Sequence, residues 1–238
     1  MKVAVINYSG SVGKTLISSY LLAPRLTGAK FYAVETINQS ASDLGIENVS
    51  IFIGDDFSRL IEDIVFEDAG IIDIGASNVE AFLMAMSRFD SGANEFDKYV
   101  IPVTPDNKAI DESLKTAHTL SKAGVSSDKI IFVPNRISPD SEVEDVLAPV
   151  FEFVKRTKVG KISKKSVIYN SEVFEYLAYH RISFEALTAE DPEEFKARAK
   201  QTTDADERKK LARRYTYMKQ AIPVKANLDK AYAALMGE

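Results

Sequence analysis

The sequence predicts an α/β fold: a mostly parallel, twisted sheet with helices on both faces and a helical C-terminal extension. Short runs of β-branched and apolar residues alternate with stretches of helical period. The runs are apolar throughout rather than on alternate residues, as strands covered on both faces must be. A glycine-rich turn also separates the first run from the first helical stretch, a common arrangement in parallel sheets. With 238 residues, 45% hydrophobic and 27% charged, the chain can bury a sizeable core and has an ordinary globular composition.

Strands are expected at "KVAVIN" (2–7), "KFYAVE" (30–35), "VSIFI" (49–53), "GIIDI" (70–74), "KYVIPV" (98–103), "KIIFVP" (129–134) and "SVIY" (166–169). The first helix fills 14–22 and stops before Pro24. The second, 56–65, gathers Phe57, Leu60, Ile61 and Ile64 on one face. Helices at 78–89 and 108–122 continue the alternation, and 141–157 is helical with Pro149 kinking or splitting it. Beyond about residue 170 the pattern turns helical without a clear strand. There 191–220 is highly charged, and Asp191-Pro192 makes a helix start. The division expected is 1–185 for the α/β domain and 186–238 for a charged helical region packed on it or extending from it.

Composition removes several chemistries. There are no cysteines and only two histidines, His118 and His180, so disulfides, thiolate metal sites and thiol catalysis are excluded, and a histidine-rich metal site is not expected. The formal charge of −5 means that any nucleic-acid contact must use a local basic patch. No apolar run approaches the roughly 18–20 residues of a membrane span. The opening "MKVAVINYSG" lacks a signal-peptide pattern, and the weakly amphipathic "NLDKAYAALMGE" carries little basic charge. The expectation is a cytoplasmic protein without membrane contact.

The stretch with clear chemistry is "NYSGSVGKT" (7–15). A phosphate cradle needs backbone N–H groups converging on an anion at a helix N-terminus, with glycines allowing close approach. Gly10, Ser11, Val12 and Gly13 form such a loop between strand and helix. Lys14 then meets the β/γ-phosphates, Thr15 supplies a hydroxyl to Mg²⁺, and Leu16 follows on the helix. Tyr8 stands where the standard G-x-x-x-x-G-K-[ST] pattern has its first glycine.

Counted back from Gly13, the loop is similar to the deviant Walker A pattern K-G-G-x-G-K-[ST]. The chain thereby resembles the ParA/MinD family of P-loop ATPases over roughly residues 1–185. "AGIIDIGAS" (69–77) resembles the family's Walker B strand, ending in Asp73, whose carboxylate holds magnesium or its water. "YVIPVTPDNKAIDESLKTAHTL" (99–120) resembles the strand–Pro–helix segment that follows. "IIFVPNRIS" (130–138) resembles the strand that ends beside adenine, which implies base contacts for Asn135 and Arg136, and "SVIYNSEVFEYLAYHRISFEAL" (166–187) resembles a segment running into the loop near the base. Within the family, "NxSGxVGKT" followed by "LLAPR" (21–25) resembles the StbB plasmid stability proteins.

The resemblance implies ATP/ADP and Mg²⁺ as cofactors, an ATP-dependent homodimer, a plasmid-encoded DNA-binding partner, and a role in plasmid stability, positioning or conjugative transfer. Lys14 and Asp73 are the implied catalytic residues, with Thr15 and Asp73 at the metal. Two departures bear on hydrolysis. Ser9 replaces the signature lysine that reaches a partner's phosphates, and Ser11 the second glycine. In "VETINQS" (34–40) Glu35 takes the first acidic position, but Ile37 stands at the second, leaving Glu35, Asn38 or Gln39 to orient water. A weak ATPase is expected. The alternatives are a dethiobiotin-synthetase-type ATP-dependent enzyme and a non-hydrolysing nucleotide-binding scaffold.

Two basic clusters are candidates for non-specific DNA binding through phosphate contacts. One is Lys155, Arg156, Lys158, Lys161, Lys164 and Lys165. The other, Arg208, Lys209, Lys210, Arg213 and Arg214, is flanked by acidic residues.

Overall fold

A computed structural model of the chain describes residues 1–35, 46 and 48–237. Among the described residues, seven strands form one parallel sheet in the order β3-β2-β4-β1-β5-β6-β7. They are β1 (Lys2–Val5), β2 (Lys30–Val34), β3 (Val49–Phe52), β4 (Gly70–Ile74), β5 (Lys98–Val103), β6 (Ile130–Pro134) and β7 (Lys161–Ile162). From β1 the chain moves outward to β2 and β3, returns through β4, then crosses β1 to build the other half. The strand order therefore reverses beside β1, and ligands of open α/β sheets bind at such a point, beyond the strand C-termini. The register aligns Val5 with both Asp73 and Val100, so the loop after β1 and the end of β4 meet there.

The helices are α1 (Lys14–Leu16, running on as a π-helical turn over Ile17–Leu22), α2 (Phe57–Ile64), α3 (Val79–Ser87), α4 (Asn107–Lys122), α5 (Val143–Val146) and α6 (Ala148–Thr157). They continue as α7 (Glu172–His180), α8 (Phe184–Thr188), α9 (Pro192–Gln201) and α10 (Ala205–Met236). Strand alternation splits the core between the two faces. Ala4, Ile6, Tyr32, Ile72 and Tyr99 join Phe57, Phe82, Phe96 and Val150. Val3, Val5, Phe31, Ile71 and Val100 join Leu21, Phe174, Leu211 and Leu228. Short polar side chains set the helix starts: Asp106 accepts from the Ala109 N–H at 3.0 Å, Asp191 from Glu193 at 2.9 Å and Asp204 from Glu207 at 2.7 Å.

Three elements differ from the sequence expectation. The seventh strand is Lys161–Ile162, inside the basic run, and pairs with Ile131 and Phe132. The expected strand at 166–169 instead runs past the end of β6. It makes a single bridge, Ile137 to Tyr169, with the Ile168 N–H on the Pro134 carbonyl at 2.8 Å. The charged 191–220 stretch is α9 plus the first half of a 32-residue helix that continues through Pro223. Leu211, Met218, Ala221, Leu228, Ala231 and Leu235 of α10 are buried, and the helix packs on α7, α8, α9 and the π-helical turn. Pro149 splits 141–157 as expected, into α5 and α6.

Arg25 of "LLAPR" links these layers. Its Nη1 donates to the Tyr20 and Leu21 carbonyls at 2.9 and 3.0 Å, closing the π-helical turn. Its Nη2 meets Asp229 of α10 at 2.7 Å. Among the described residues no helix is long and apolar enough to cross a membrane.

Candidate nucleotide-binding site

The loop from Asn7 to Gly13 is held from three sides. Buried Asn7 donates through Nδ2 to the Pro102 carbonyl at 2.8 Å and to Ser113 Oγ at 2.7 Å, while its Oδ1 accepts from the Ser9 N–H at 2.8 Å. The Tyr8 N–H donates to Thr116 Oγ1 at 3.1 Å, and the Lys115 ammonium lies 4.4 Å from the Tyr8 ring centre. From the third side Asn135 Nδ2 donates to the Val12 carbonyl at 2.7 Å. The loop then turns into α1 through Gly13, whose φ of 86° lies in the left-handed region. Only glycine adopts it without strain, and a Cβ there would stand 2.4 Å from Asn135 Nδ2. Gly10 and Ser11 remain exposed, so the loop backbone faces outward while its ends are fixed.

Lys14 opens α1 and is buried, 5% exposed. Its Nζ donates to the Ser9 carbonyl at 2.6 Å and to the Asn7 carbonyl at 3.2 Å, folding back over the loop it follows. Burial lowers its pKa to about 8, against the opposing pull of Asp73, Glu35 and Glu112. Asp73, at the C-terminal end of β4, is 1% exposed. Burial pushes it up to about 6, although Thr15, Lys14 and Ser18 all draw it down. Its Oδ1 completes no hydrogen bond. A buried carboxylate oxygen left open beside the Thr15 hydroxyl is a hard, anionic donor set that fits a magnesium ion or one of its waters. Among the described residues no group of three or more His, Cys, Asp or Glu could hold a metal.

Glu35 sits at the end of β2 near the turn after β4; a Cβ on Gly75 would stand 3.3 Å from its Cγ. Ile37, Asn38 and Gln39 lie outside the described residues. A cleft of about 470 Å³ opens beside α1, lined by Leu16, Tyr20, Arg136, Asn170, Ser171 and Glu175 among others. Leu16 and Arg136 thus line one cleft. Asn135 does not join them: it is 1% exposed, and its amide nitrogen is engaged by the loop. The observed work of Asn135 is to hold Val12 through its amide nitrogen.

Several site residues escaped the sequence reading. Asn7 and Thr116 act through loop-anchoring hydrogen bonds that no spacing rule announces. Glu112 acts on Lys14 through space. Asn170 and Ser171 fall inside the "SVIYNSEVF" segment that the resemblance had placed near the base.

All six residues of the first basic cluster are exposed, but they do not share one groove. Lys155 and Arg156 line a cleft with Leu114 and Pro149, whereas Lys164 and Lys165 line another with Lys230 of α10. In the second cluster Arg214 is engaged by Glu190 at 2.6 Å, and Arg213 lies over Tyr217.

No protein-family model matches the chain, and no curated protein does. Solved structures do match in shape. The cell division protein MinD of Aquifex aeolicus is 16% identical, with 100% of this chain and 97% of that one covered at a TM-score of 0.60. The chain has the MinD fold. The ATP complex of a Cyanothece McdA variant is 15% identical, with 94% and 96% covered at 0.51. Pyrococcus furiosus MinD is 14% identical, with 92% and 98% covered at 0.52. In the MinD fold seen here, the Lys14 loop, Asp73 and the Leu16–Arg136 cleft lie together at the reversal of strand order.

Proposed function

We propose that the chain is an ATP-binding switch of the ParA/MinD type that positions a cargo in a nucleotide-dependent way. The observation that carries this reading is the pairing of a left-handed Gly13 loop, opening α1 at Lys14 and Thr15, with the buried, open Oδ1 of Asp73. The fold supports it, as does a structural neighbour solved as an ATP complex. Gly10 to Thr15 would hold the phosphates, Lys14 would neutralise β/γ charge, and Thr15 and Asp73 would hold Mg²⁺, which supplies charge neutralisation when bound. Arg136 and Leu16 would flank the base.

The loop lies beside the turn after β4: a Cβ on Gly10 would lie 4.0 Å from the Ala76 Cβ. Occupancy of the loop would thereby reach Gly75–Asn78 and favour a dimeric or partner-binding state. The plasmid assignment, in stability, positioning or conjugative transfer with a plasmid-encoded DNA-binding partner, rests on the likeness of residues 7–15 and 21–25 to the StbB proteins. Hydrolysis is slow in this reading, because Ser9 and Ile37 replace the lysine and acid that the resemblance assigns to it.

Calorimetric titration with ATP and ADP, with and without Mg²⁺, tests the proposal. Wild type should bind at least tenfold more tightly than Lys14→Ala, with a further gain from Mg²⁺. Equal affinities would sink it.

A further inference from the structure

Among the described residues, the buried side-chain oxygens that complete no hydrogen bond include Ser18 Oγ and Asp73 Oδ1, and the Ser18 side chain lies beside the Asp73 carboxyl. The Ser18 hydroxyl stands close enough to the Asp73 carboxyl to favour its ionised form, yet neither orphaned oxygen reaches hydrogen-bond geometry. The π-helical turn that carries Ser18 packs directly on β4. Ser18 lies three residues after Thr15, so both hydroxyls project from the same face of α1 toward one carboxylate.

A helical serine normally satisfies itself on the carbonyl four residues back. The helix α4 shows this habit three times: Ser113 on Ala109 at 2.6 Å, Thr116 on Glu112 at 2.7 Å and Thr119 on Lys115 at 2.9 Å. Ser18 does not take it up, although it is fully buried, at 0% exposed. A hydroxyl and a carboxylate oxygen left open side by side, out of reach of solvent, match the protons of a water molecule. Magnesium dehydrates reluctantly and carries such waters into its sites.

We infer that Ser18 is a positioning residue for the divalent cation of this site, holding with Asp73 a water of the cation's shell. This rests on the magnesium-nucleotide reading above. Thr15 and Asp73 make the nearer pair, and Ser18 fixes the orientation of the carboxylate from one helical turn further along. Outer partners of this kind typically change metal affinity by about 10–100-fold.

The test uses the full chain, with ATP as the probe and Mg²⁺ varied from an EDTA blank to millimolar concentration, for wild type, Ser18→Ala and Ser18→Thr. In EDTA all three should bind ATP equally. The Mg²⁺ concentration giving half of the affinity gain should rise about tenfold in Ser18→Ala and return to within about twofold of wild type in Ser18→Thr, which keeps the hydroxyl. The ligand-free melting temperature of Ser18→Ala should equal or exceed wild type, because the substitution removes an unsatisfied hydroxyl. A wild-type Mg²⁺ midpoint in Ser18→Ala, or an equal loss of affinity in EDTA, overturns the positioning role alone. Absence of any Mg²⁺-dependent gain in wild type overturns it together with the reading beneath it.

Discussion

Replacing Gly13 by alanine probes the join between the phosphate loop and the strand behind it. At φ 86° an alanine costs about 1–2 kcal/mol in backbone strain. Its Cβ would also stand 2.4 Å from Asn135 Nδ2, a separation that no real contact tolerates, so the amide must move. That motion breaks the 2.7 Å bond to the Val12 carbonyl and leaves buried polar groups unpaired, at about 1–3 kcal/mol. Gly13→Ala should therefore destabilise by about 2–5 kcal/mol. Asn135→Ala loses the same bond and should cost about 1–3 kcal/mol. In the double variant no amide remains to clash, so only the backbone strain adds. Urea unfolding of the four proteins should give a coupling of about 1–3 kcal/mol, the singles summing to more than the double. Additivity within about 0.5 kcal/mol would show that Asn135 and the loop are independent, and would reopen that amide for the base.

Burial raises Asp73 from 3.8 to about 6, so the native state holds this proton more tightly than the unfolded chain. The stability it contributes is full below the ordinary carboxylate range and lost as pH rises through about 6. Without metal or nucleotide, wild type should gain up to about 3 kcal/mol relative to Asp73→Asn between pH 7 and pH 4; a constant difference in urea unfolding would refute this. Ser9 is only 6% exposed and lies beside Lys14, so the ammonium of Ser9→Lys must leave its own loop, and ATP-dependent dimer should increase in sedimentation measurements. Loss of ATP binding by the monomer would show instead that the ammonium stays inside. Reversing charge at Lys161, Lys164 and Lys165 should abolish salt-sensitive DNA binding at low ionic strength, and unaltered retardation of a DNA fragment would remove that patch from consideration.

Five strands were legible because each is an apolar run covered from both sides, and the edge strand β3, with Ile51 64% exposed, because its run is β-branched and aromatic. The seventh was not, since two residues, Lys161 and Ile162, carry no periodicity, and Gly160 turns the chain into them with a φ of 79°. Residues 166–169 have the better strand composition, yet they run past the end of β6, bonding its last residue, Pro134, once and bridging to Ile137. A proline usually closes a helix, but α10 passes through Pro223 because burial on either side, at Met218, Ala221 and Leu228, outweighs one lost hydrogen bond. The Gly13 loop and Asp73 could be singled out from sequence because the chemistry proposed for them demands particular residues at particular spacings. The anchors Asn7 and Thr116 were not, because a hydrogen bond spanning over a hundred residues depends on how α4, packed on β5, meets the loop after β1. The π-helical turn left no trace in "LISSYLL" either, and it is what sets Ser18 against Asp73.

The site holds two ionisations that its surroundings oppose. Lys14 is pressed toward neutrality and Asp73 toward protonation, both chiefly by burial. A bound phosphate would favour the charged lysine and a bound cation the charged carboxylate, so each ligand would relieve a cost of burial. Lys14 meanwhile rests on the carbonyls of Asn7 and Ser9, contacts that it must exchange to reach a phosphate. Those contacts are to backbone, which any residue at position 9 can provide. A serine there thus leaves the chain's own phosphate loop intact. In the switch reading proposed above, position 9 lacks a side-chain cation for use beyond the loop, so the consequence would fall on contact between two copies rather than on nucleotide capture by one.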